Sequence, residues 1–181
     1  MTEAATTTAG GGSAPATIRP YRPLDHHACR DLWAELTEHH RDLYEDPDAA
    51  GTDPGAGFEE YLTRLDLTGI WVADHAEDGV VGMVGLLLRG RAGEVEPVVV
   101  SGQHRGHGIG TALLEHLARE ARRRGMSHLT VAPDSRNEGA IRCLYNAGYG
   151  VLSSVTLTLD LRARGHEWQD GIDLNGLRFS Y

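Results

Sequence analysis

Apolar residues recur at helical spacing in some segments of the chain, and in others they alternate with polar residues or run together. The first pattern gives a helix one apolar face, and the second is typical of strands. Helices are predicted over residues 25–43, 58–67, 108–124 and 135–146, the last with Ser135 and Glu138 as a capping box. Strands are predicted over residues 17–20, 69–73, 80–89, 94–101, 128–131, 149–161 and 172–181.

The order of these elements predicts a mixed α/β fold with one sheet and helices on both of its faces. Residues 1–16 are mostly Thr, Ala and Gly, which bury too little apolar surface to offset the entropy lost on ordering. We therefore expect a disordered N-terminal tail over residues 1–16 and a single domain over residues 17–181.

Charge and residue usage exclude several functional classes. The formal net charge of −9 argues against a nucleic-acid binder, which needs a basic surface. All 17 basic side chains are Arg, so the chain lacks the Lys that a Walker phosphate loop and a pyridoxal phosphate enzyme require. The two cysteines favour a reducing compartment, and no apolar run is long enough to span a bilayer, so we expect a cytoplasmic protein with no membrane partner. The 10 histidines show no recognised zinc spacing, so no metal is expected.

The clearest chemical signal is a predicted strand that runs into a glycine-rich turn and then a helix. Residues 105–110 read Arg-Gly-His-Gly-Ile-Gly. Free N–H groups at a helix start and the positive end of the helix dipole converge there, which suits a pyrophosphate group. The dinucleotide-binding pattern Gly-x-Gly-x-x-Gly does not fit, because its last position would hold Thr111 or Leu113.

This turn resembles the acetyl-CoA signature of the GNAT superfamily of N-acetyltransferases: Arg or Gln, two residues, Gly, one residue, Gly or Ala. Residues 137–149 are similar to the family's second motif, with Asn-x-x-Ala, a Leu-Tyr pair, then Gly and an aromatic residue. The resemblance implies a GNAT-type mixed, mostly antiparallel central sheet of about seven strands, with helices on both faces and a splayed strand pair at the acetyl-CoA site. It also allows a homodimer, because dimers are frequent in the family.

The resemblance further implies which residues hold acetyl-CoA. Backbone groups of Val98 and Val100 would hold the pantetheine arm, amides of residues 105–111 would hold the pyrophosphate, and Asn137 would bond the pantetheine. The implied contact residues are Val98, Val99, Val100, Arg105, Gly106, His107, Gly108, Ile109, Gly110, Thr111, Asn137, Ala140 and Tyr145.

An amine attacks a thioester only as the free base, so a general base or a water relay is needed. Glu96 and Glu94 lie on the same side of the predicted strand, with Glu96 nearer the reacting centre; alternatively, both only face solvent. Tyr145 stands at the family's position for the acid that protonates the leaving thiolate, and its alternative role is packing within its helix. A backbone N–H of Val98 or Val99 would meet the oxyanion.

Residues 42–66 carry many acidic side chains and only Arg64 as a basic one, which favours a cationic amine as acceptor. A polyamine, an aminoglycoside-like amine or a basic peptide would suit it. The acidic residues are Asp42, Glu45, Asp46, Asp48, Asp53, Glu59, Glu60 and Asp66. Alternatively, these charges only solubilise the surface. A second hypothesis for the whole chain is a regulatory module that binds acyl-CoA without catalysis.

Overall fold

The computed structural model describes residues 16–44, 52–64, 67–159, 161 and 170–180. Within these residues the helices are α1 (His26–Tyr44), α2 (Gly57–Arg64), α3 (Ile109–Arg123) and α4 (Glu138–Asn146). The strands are β1 (Thr17–Pro20), β2 (Ile70–His75), β3 (Gly79–Arg89), β4 (Ala92–Val100), β5 (His128–Thr130), β6 (Asp170–Leu174) and β7 (Leu177–Ser180). Short 3-10 turns over Pro23–Asp25, Leu67–Gly69 and Gly102–His104 precede α1, β2 and the glycine-rich turn.

The central sheet follows the order β1-β2-β3-β4-β5. Strands β1 to β4 pair antiparallel, and β5 pairs parallel to β4. In β3 residues 81–87 are all buried, without alternation, because helices cover both faces of the sheet. The predicted mixed, mostly antiparallel sheet is therefore confirmed, although the described residues give it five strands rather than about seven.

Two apolar clusters hold the helices to the sheet, one on each face. On one face α3 and α4 pack on the sheet through Trp71, Ala73, Val81, Val84, Leu86, Val95, Ile109, Leu113, Leu114, Leu117 and Leu144. On the other face α1 and α2 pack through Cys29, Leu32, Phe58, Tyr61, Ile70, Val72, Met83 and Val99. The apolar stripes read from the helical spacing are the surfaces that form these contacts.

Strand β4 pairs with β5 only at its beginning. Residues 92–94 of β4 lie opposite residues 128–130 of β5, and β5 ends there while β4 continues to Val100. On its other side β4 stays paired with β3 as far as Val100, with a register shift opposite Val84 to Leu86. The second half of β4 therefore has an edge without a strand partner among the described residues, which confirms the splayed strand pair.

The prediction of a long strand over residues 149–161 is wrong for residues 149–159, which form no regular element. The apolar side chains of residues 151–159, including Leu152, Leu157 and Leu159, are exposed. The predicted strand over residues 172–181 is instead the hairpin of β6 and β7. Asn175 and Gly176 both have positive φ at its turn, as a tight two-residue hairpin requires.

The N-terminal cap of α4 also differs from the prediction. Asn137, rather than Ser135, precedes the helix, and its Oδ1 accepts a hydrogen bond from the Ala140 N–H at 3.0 Å. The predicted tail of residues 1–16 lies outside the described residues except for Ala16, so its disorder stays a prediction. No helix in the described part of the chain is long and apolar enough to cross a membrane.

Candidate active site

The glycine-rich turn between β4 and α3 has a backbone that favours glycine at two positions. Gly106 has a φ of 79° and Gly108, the N-cap of α3, a φ of 80°. L-residues with side chains rarely adopt this region. A Cβ on either glycine would meet no atom within 4 Å, so the turn presents bare backbone to open space.

The first turn of α3, which follows directly on these glycines, offers N–H groups without helical hydrogen-bond partners. The first helical hydrogen bond is donated by the Ala112 N–H to the Gly108 carbonyl at 3.0 Å, so the amides of residues 109–111 precede the hydrogen-bonded ladder. Gly108 provides no side-chain cap, and the first turn contains no acidic residue. This helix start therefore fits a phosphate-type anion.

Close packing fixes the turn against β4 and α4. A Cβ on Gly110 would lie 3.4 Å from the Cys143 Sγ, so α3 and α4 are direct neighbours there. The Arg105 Nε donates to the Val100 carbonyl at 3.0 Å and ties the turn to the end of β4. Cys143 packs against the core on the α3 side of the sheet. His107 is exposed on the same turn.

Glu35 of α1 also fixes the start of the turn, and sequence reasoning missed it. Its carboxylate accepts from the Gly102 N–H at 2.9 Å and from the Ser101 hydroxyl at 3.2 Å. The contact joins residues more than 60 positions apart, so no local pattern in the sequence signals it. The carboxylate satisfies a backbone donor that the end of β4 leaves unpaired.

The edge of β4 beyond Glu94 can hold an extended ligand. Val98 and Val100 pair with Val84 and Gly82 of β3, and peptide groups of a strand alternate between its two edges. On the edge that faces away from β3, no described strand pairs with residues 95–100. A linear, amide-containing group can bind such an edge as an added strand does. The arrangement fits the pantetheine arm that the resemblance places at Val98 and Val100.

Each candidate base on β4 is engaged by an arginine. The Glu96 carboxylate lies 3.2 Å from Nη2 of Arg64 in α2, and Glu94 lies 2.8 Å from Nε of Arg89. Both carboxylates are partly exposed. A guanidinium this close to Glu96 has to move aside or share the carboxylate when Glu96 takes up a proton.

Tyr61 of α2 contacts the same part of β4 and is a second residue that the sequence reasoning missed. Its hydroxyl donates to the carbonyl oxygen of Glu96. A Cβ on Gly85 would lie 1.7 Å from this hydroxyl oxygen and 2.3 Å from the Glu96 carbonyl, so only glycine leaves room at position 85. Burial raises the pKa of Tyr61, which keeps the hydroxyl protonated as a donor.

The remaining motif residues lie on α4. The Tyr145 side chain is 68% exposed, so packing does not occupy it, and its hydroxyl has no hydrogen-bond partner among the described residues. Asn137 uses its Oδ1 as the helix cap, which leaves its amide NH₂ for a ligand. Ala140 is partly buried in the first turn. The exposed Tyr145 side chain is therefore open to contact by a bound group.

The end of α1 closes against the segment between β5 and α4. The Tyr44 hydroxyl donates to Asp134, and the Arg136 guanidinium lies 4.7 Å from the centre of the Tyr44 ring. Arg136 also donates to the Leu43 carbonyl at 3.1 Å. These contacts join the end of α1 to the segment that follows β5.

Part of the acidic excess of residues 42–66 is neutralised within the fold. Asp53 and Glu59 both pair with Arg30 of α1, and Asp42 lies 4.0 Å from Arg41. Glu60 is exposed on α2. The other acidic residues of that segment, Glu45, Asp46, Asp48 and Asp66, lie outside the described residues. The negative surplus of the described part is therefore smaller than the sequence count indicates.

Comparisons with known proteins agree with this geometry. The family described as acetyltransferase (GNAT) matches residues 29–149, more than half of the chain. No curated protein sequence matches significantly. A GNAT-family acetyltransferase from Staphylococcus aureus has a similar structure at a TM-score of 0.60 and 16% identity, covering 80% of this chain and 94% of that chain.

Two further solved structures show the same fold. An acetyltransferase from Trypanosoma brucei aligns at a TM-score of 0.57 and 23% identity, over 81% of this chain and 99% of that chain. A ribosomal-protein-alanine N-acetyltransferase from Brucella melitensis aligns at a TM-score of 0.59 and 24% identity, over 73% and 83%. The chain therefore belongs to the GNAT family of acetyltransferases, acyltransferases whose acetyl donor is acetyl-CoA.

Proposed function

We propose that this acetyltransferase transfers the acetyl group to a primary amine of a cationic acceptor by direct attack on the thioester. One observation carries the proposal: the free edge of β4 has an anion-binding turn at one end and two carboxylates at the other. The free edge between the turn and Glu96 suits an extended pantetheine arm between a pyrophosphate and a thioester.

The proposed proton transfers use residues that flank this edge. Glu96 accepts a proton from the amine, directly or through a water molecule, and Glu94 is the alternative base. Tyr145 donates a proton to the leaving sulfur. A new N–C bond forms as the C–S bond breaks, so an ammonium acceptor loses two protons in all, of which one ends on sulfur and one is released. Backbone N–H groups of Val98 or Val99 stabilise the oxyanion.

A cationic acceptor follows from the charge of the chain and of this end of the fold. The net charge of −9 attracts cations over distance, and Glu60 is exposed on α2, the helix that also carries Arg64 beside Glu96. Polyamines, aminoglycoside-like amines and basic peptides share this charge. The Brucella melitensis neighbour acts on the alanine of a ribosomal protein, so basic peptides belong in the test.

The test is release of free thiol from acetyl-CoA in the presence of polyamines, aminoglycosides, amino acids or basic peptides. Turnover on one cationic class is expected. Glu96→Gln should lower kcat about 100-fold or more, and Tyr145→Phe by a smaller factor because a thiolate leaves more easily than an alkoxide. Glu94→Gln is the matched control, since Glu94 lies on the same strand and has its own arginine partner.

The outcomes separate the competing accounts. Loss of activity in Glu94→Gln with retention in Glu96→Gln would exchange the two roles. Calorimetric binding of acetyl-CoA without turnover on any amine would favour a regulatory acyl-CoA-binding module. Absence of acetyl-CoA binding would refute the proposed donor site itself.

A further inference from the structure

Two histidines and an aspartate from separate segments meet beside the glycine-rich turn. His75 ends β2, Asp78 lies in the turn between β2 and β3, and His104 lies in the 3-10 turn Gly102–His104. The Asp78 Oδ2 is 2.9 Å from the His75 Nδ1 and 3.0 Å from the His104 Nε2. One potential ligand atom from each residue lies within 4.8 Å of the other two.

This donor set suits a borderline divalent metal ion. Zinc binds imidazole nitrogen and carboxylate oxygen at about 2.0–2.2 Å, commonly with three protein ligands and water in the remaining position. Tetrahedral ligands at that distance lie roughly 3.3 Å from one another. The separations of 2.9 and 3.0 Å between Asp78 and the two imidazoles need to open by a few tenths of an ångström to admit the ion. The two imidazole nitrogens, which lie within 4.8 Å of each other, need to be about 3.3 Å apart.

The hydrogen bonds of the cluster compete in the absence of a metal ion. The Asp78 backbone N–H points at the His75 Nδ1 at 3.3 Å, and the Asp78 carboxylate faces the same nitrogen at 2.9 Å. A neutral imidazole nitrogen either accepts from the N–H or donates to the carboxylate, and it cannot do both. A metal ion removes this competition, because the Nδ1 lone pair and the carboxylate then both bind the ion.

Burial fixes two of the ligands and leaves an entry path at the third. The His75 side chain is 5% exposed and the His104 side chain 15%, whereas the Asp78 side chain is 53% exposed. The two imidazole rings lie 5.2 Å apart between centres, tilted by 57°. Packing therefore holds the rings in place, and the solvent-facing Asp78 side admits an ion and its remaining water ligands.

We propose that His75, Asp78 and His104 form a site for Zn²⁺ or a similar divalent transition metal ion, which joins the β2–β3 turn to the start of the glycine-rich turn. This proposal differs from the expectation, based on histidine spacing, that the protein binds no metal. Sequence spacing hides the site, because His104 lies 26 positions after Asp78 in a different turn.

The experiment uses the untagged full chain, stripped with a chelator that is then removed. Zinc chloride is titrated in competition with a chromophoric chelator, and Co²⁺ is titrated separately for its visible ligand-field absorption. Variants are His104→Ala and Asp78→Asn, both at turns. His27→Ala is the matched control, since His27 and Asp31 form an exposed pair at 3.5 Å without a third ligand.

We expect one equivalent of Zn²⁺ per chain in the wild type and in His27→Ala. Loss of a residue that hydrogen-bonds to a metal ligand weakens metal affinity about 10- to 100-fold. Loss of a ligand itself should therefore weaken Zn²⁺ affinity about 100-fold or more. The Co²⁺ absorption should disappear in His104→Ala and Asp78→Asn. Circular dichroism checks that these two variants are folded, and buried His75 is left unchanged for that reason.

Two results would overturn the proposal. No metal binding by the wild type would make the cluster a hydrogen-bonded network only. Equal Zn²⁺ affinity in the wild type and in both folded variants would place any bound ion elsewhere on the chain. Neither readout depends on acetyltransferase activity, so failure of the proposed acceptor leaves this test intact.

Discussion

Replacing Gly108 by alanine separates the backbone strain of the glycine-rich turn from its role in binding. Gly108 begins α3 with a φ of 80°, and Gly125 follows its last turn with a φ of 70°. A Cβ meets no atom within 4 Å at either position. Gly125→Ala is therefore a matched control, with similar strain on the same helix but at the end away from the proposed pyrophosphate site.

The expected magnitudes follow from these two facts. An L-residue held in the left-handed region costs about 1–2 kcal/mol, so both variants should lose about 1 kcal/mol of unfolding free energy. For a chain of this size that corresponds to a decrease in Tm of about 2–4 °C. Only Gly108→Ala places a methyl group where the anion would approach. Loss of one hydrogen bond to a charged group, about 1.5–3 kcal/mol, should raise the Kd for acetyl-CoA about 10- to 100-fold.

Thermal unfolding and calorimetric titration with acetyl-CoA measure the two quantities separately. We expect the two variants to lose similar amounts of stability, and only Gly108→Ala to bind acetyl-CoA more weakly. Unchanged acetyl-CoA affinity in a folded Gly108→Ala protein would refute the assignment of this helix start to the pyrophosphate. Equally weakened binding in Gly125→Ala would show that strain alone accounts for the loss.

Three further predictions concern buried polar groups. The hydrogen bond from Arg19 lowers the pKa of buried Asp25. The ionised Asp25 therefore stabilises the folded state above about pH 4, and this contribution to the unfolding free energy is lost as the pH falls through the lowered pKa. Arg19→Gln should make the unfolding free energy less dependent on pH in that range. Burial raises the pKa of the Cys29 thiol to about 12, so iodoacetamide should label Cys143 in the native protein and both thiols only after unfolding. Tyr149→Phe should keep or increase Tm, because the buried hydroxyl has no hydrogen-bond partner among the described residues.

Elements with strong local patterns were predicted closely. Helix α3 was predicted within one residue at each end, because its buried leucines recur at helical spacing between Gly108 and Gly125. The strand predicted over residues 149–161 failed for the opposite reason. Alternation shows that a segment suits a strand, but a strand also needs a neighbour with free backbone groups, and that is a property of the whole fold.

The candidate site also contains residues that a local pattern reveals and residues that only the fold brings together. The turn residues and the α4 motif are contiguous in the chain, so their resemblance to the family reveals them together. Glu35 approaches the end of β4 from α1, and Tyr61 and Arg64 approach β4 from α2. No spacing in the sequence connects these three residues to β4. Long-range pairing also changes the electrostatics, since Arg30 of α1 neutralises acids that a local count leaves unpaired.

The Tyr61 hydroxyl connects the helix layer that contains α2 to the central sheet. It stands over Gly85 and holds the Glu96 carbonyl, so α2 and the irregular part of β4 share one point of attachment. A redesign that tilts α2 to admit a different amine would strain the hydrogen bond from Tyr61 to the Glu96 carbonyl. It would thereby shift the strand on which the thioester is proposed to lie. We therefore expect changes in acceptor selectivity to alter donor alignment as well. A mutational library aimed at new acceptors keeps positions 61 and 85 constant and varies the exposed face of α2 instead.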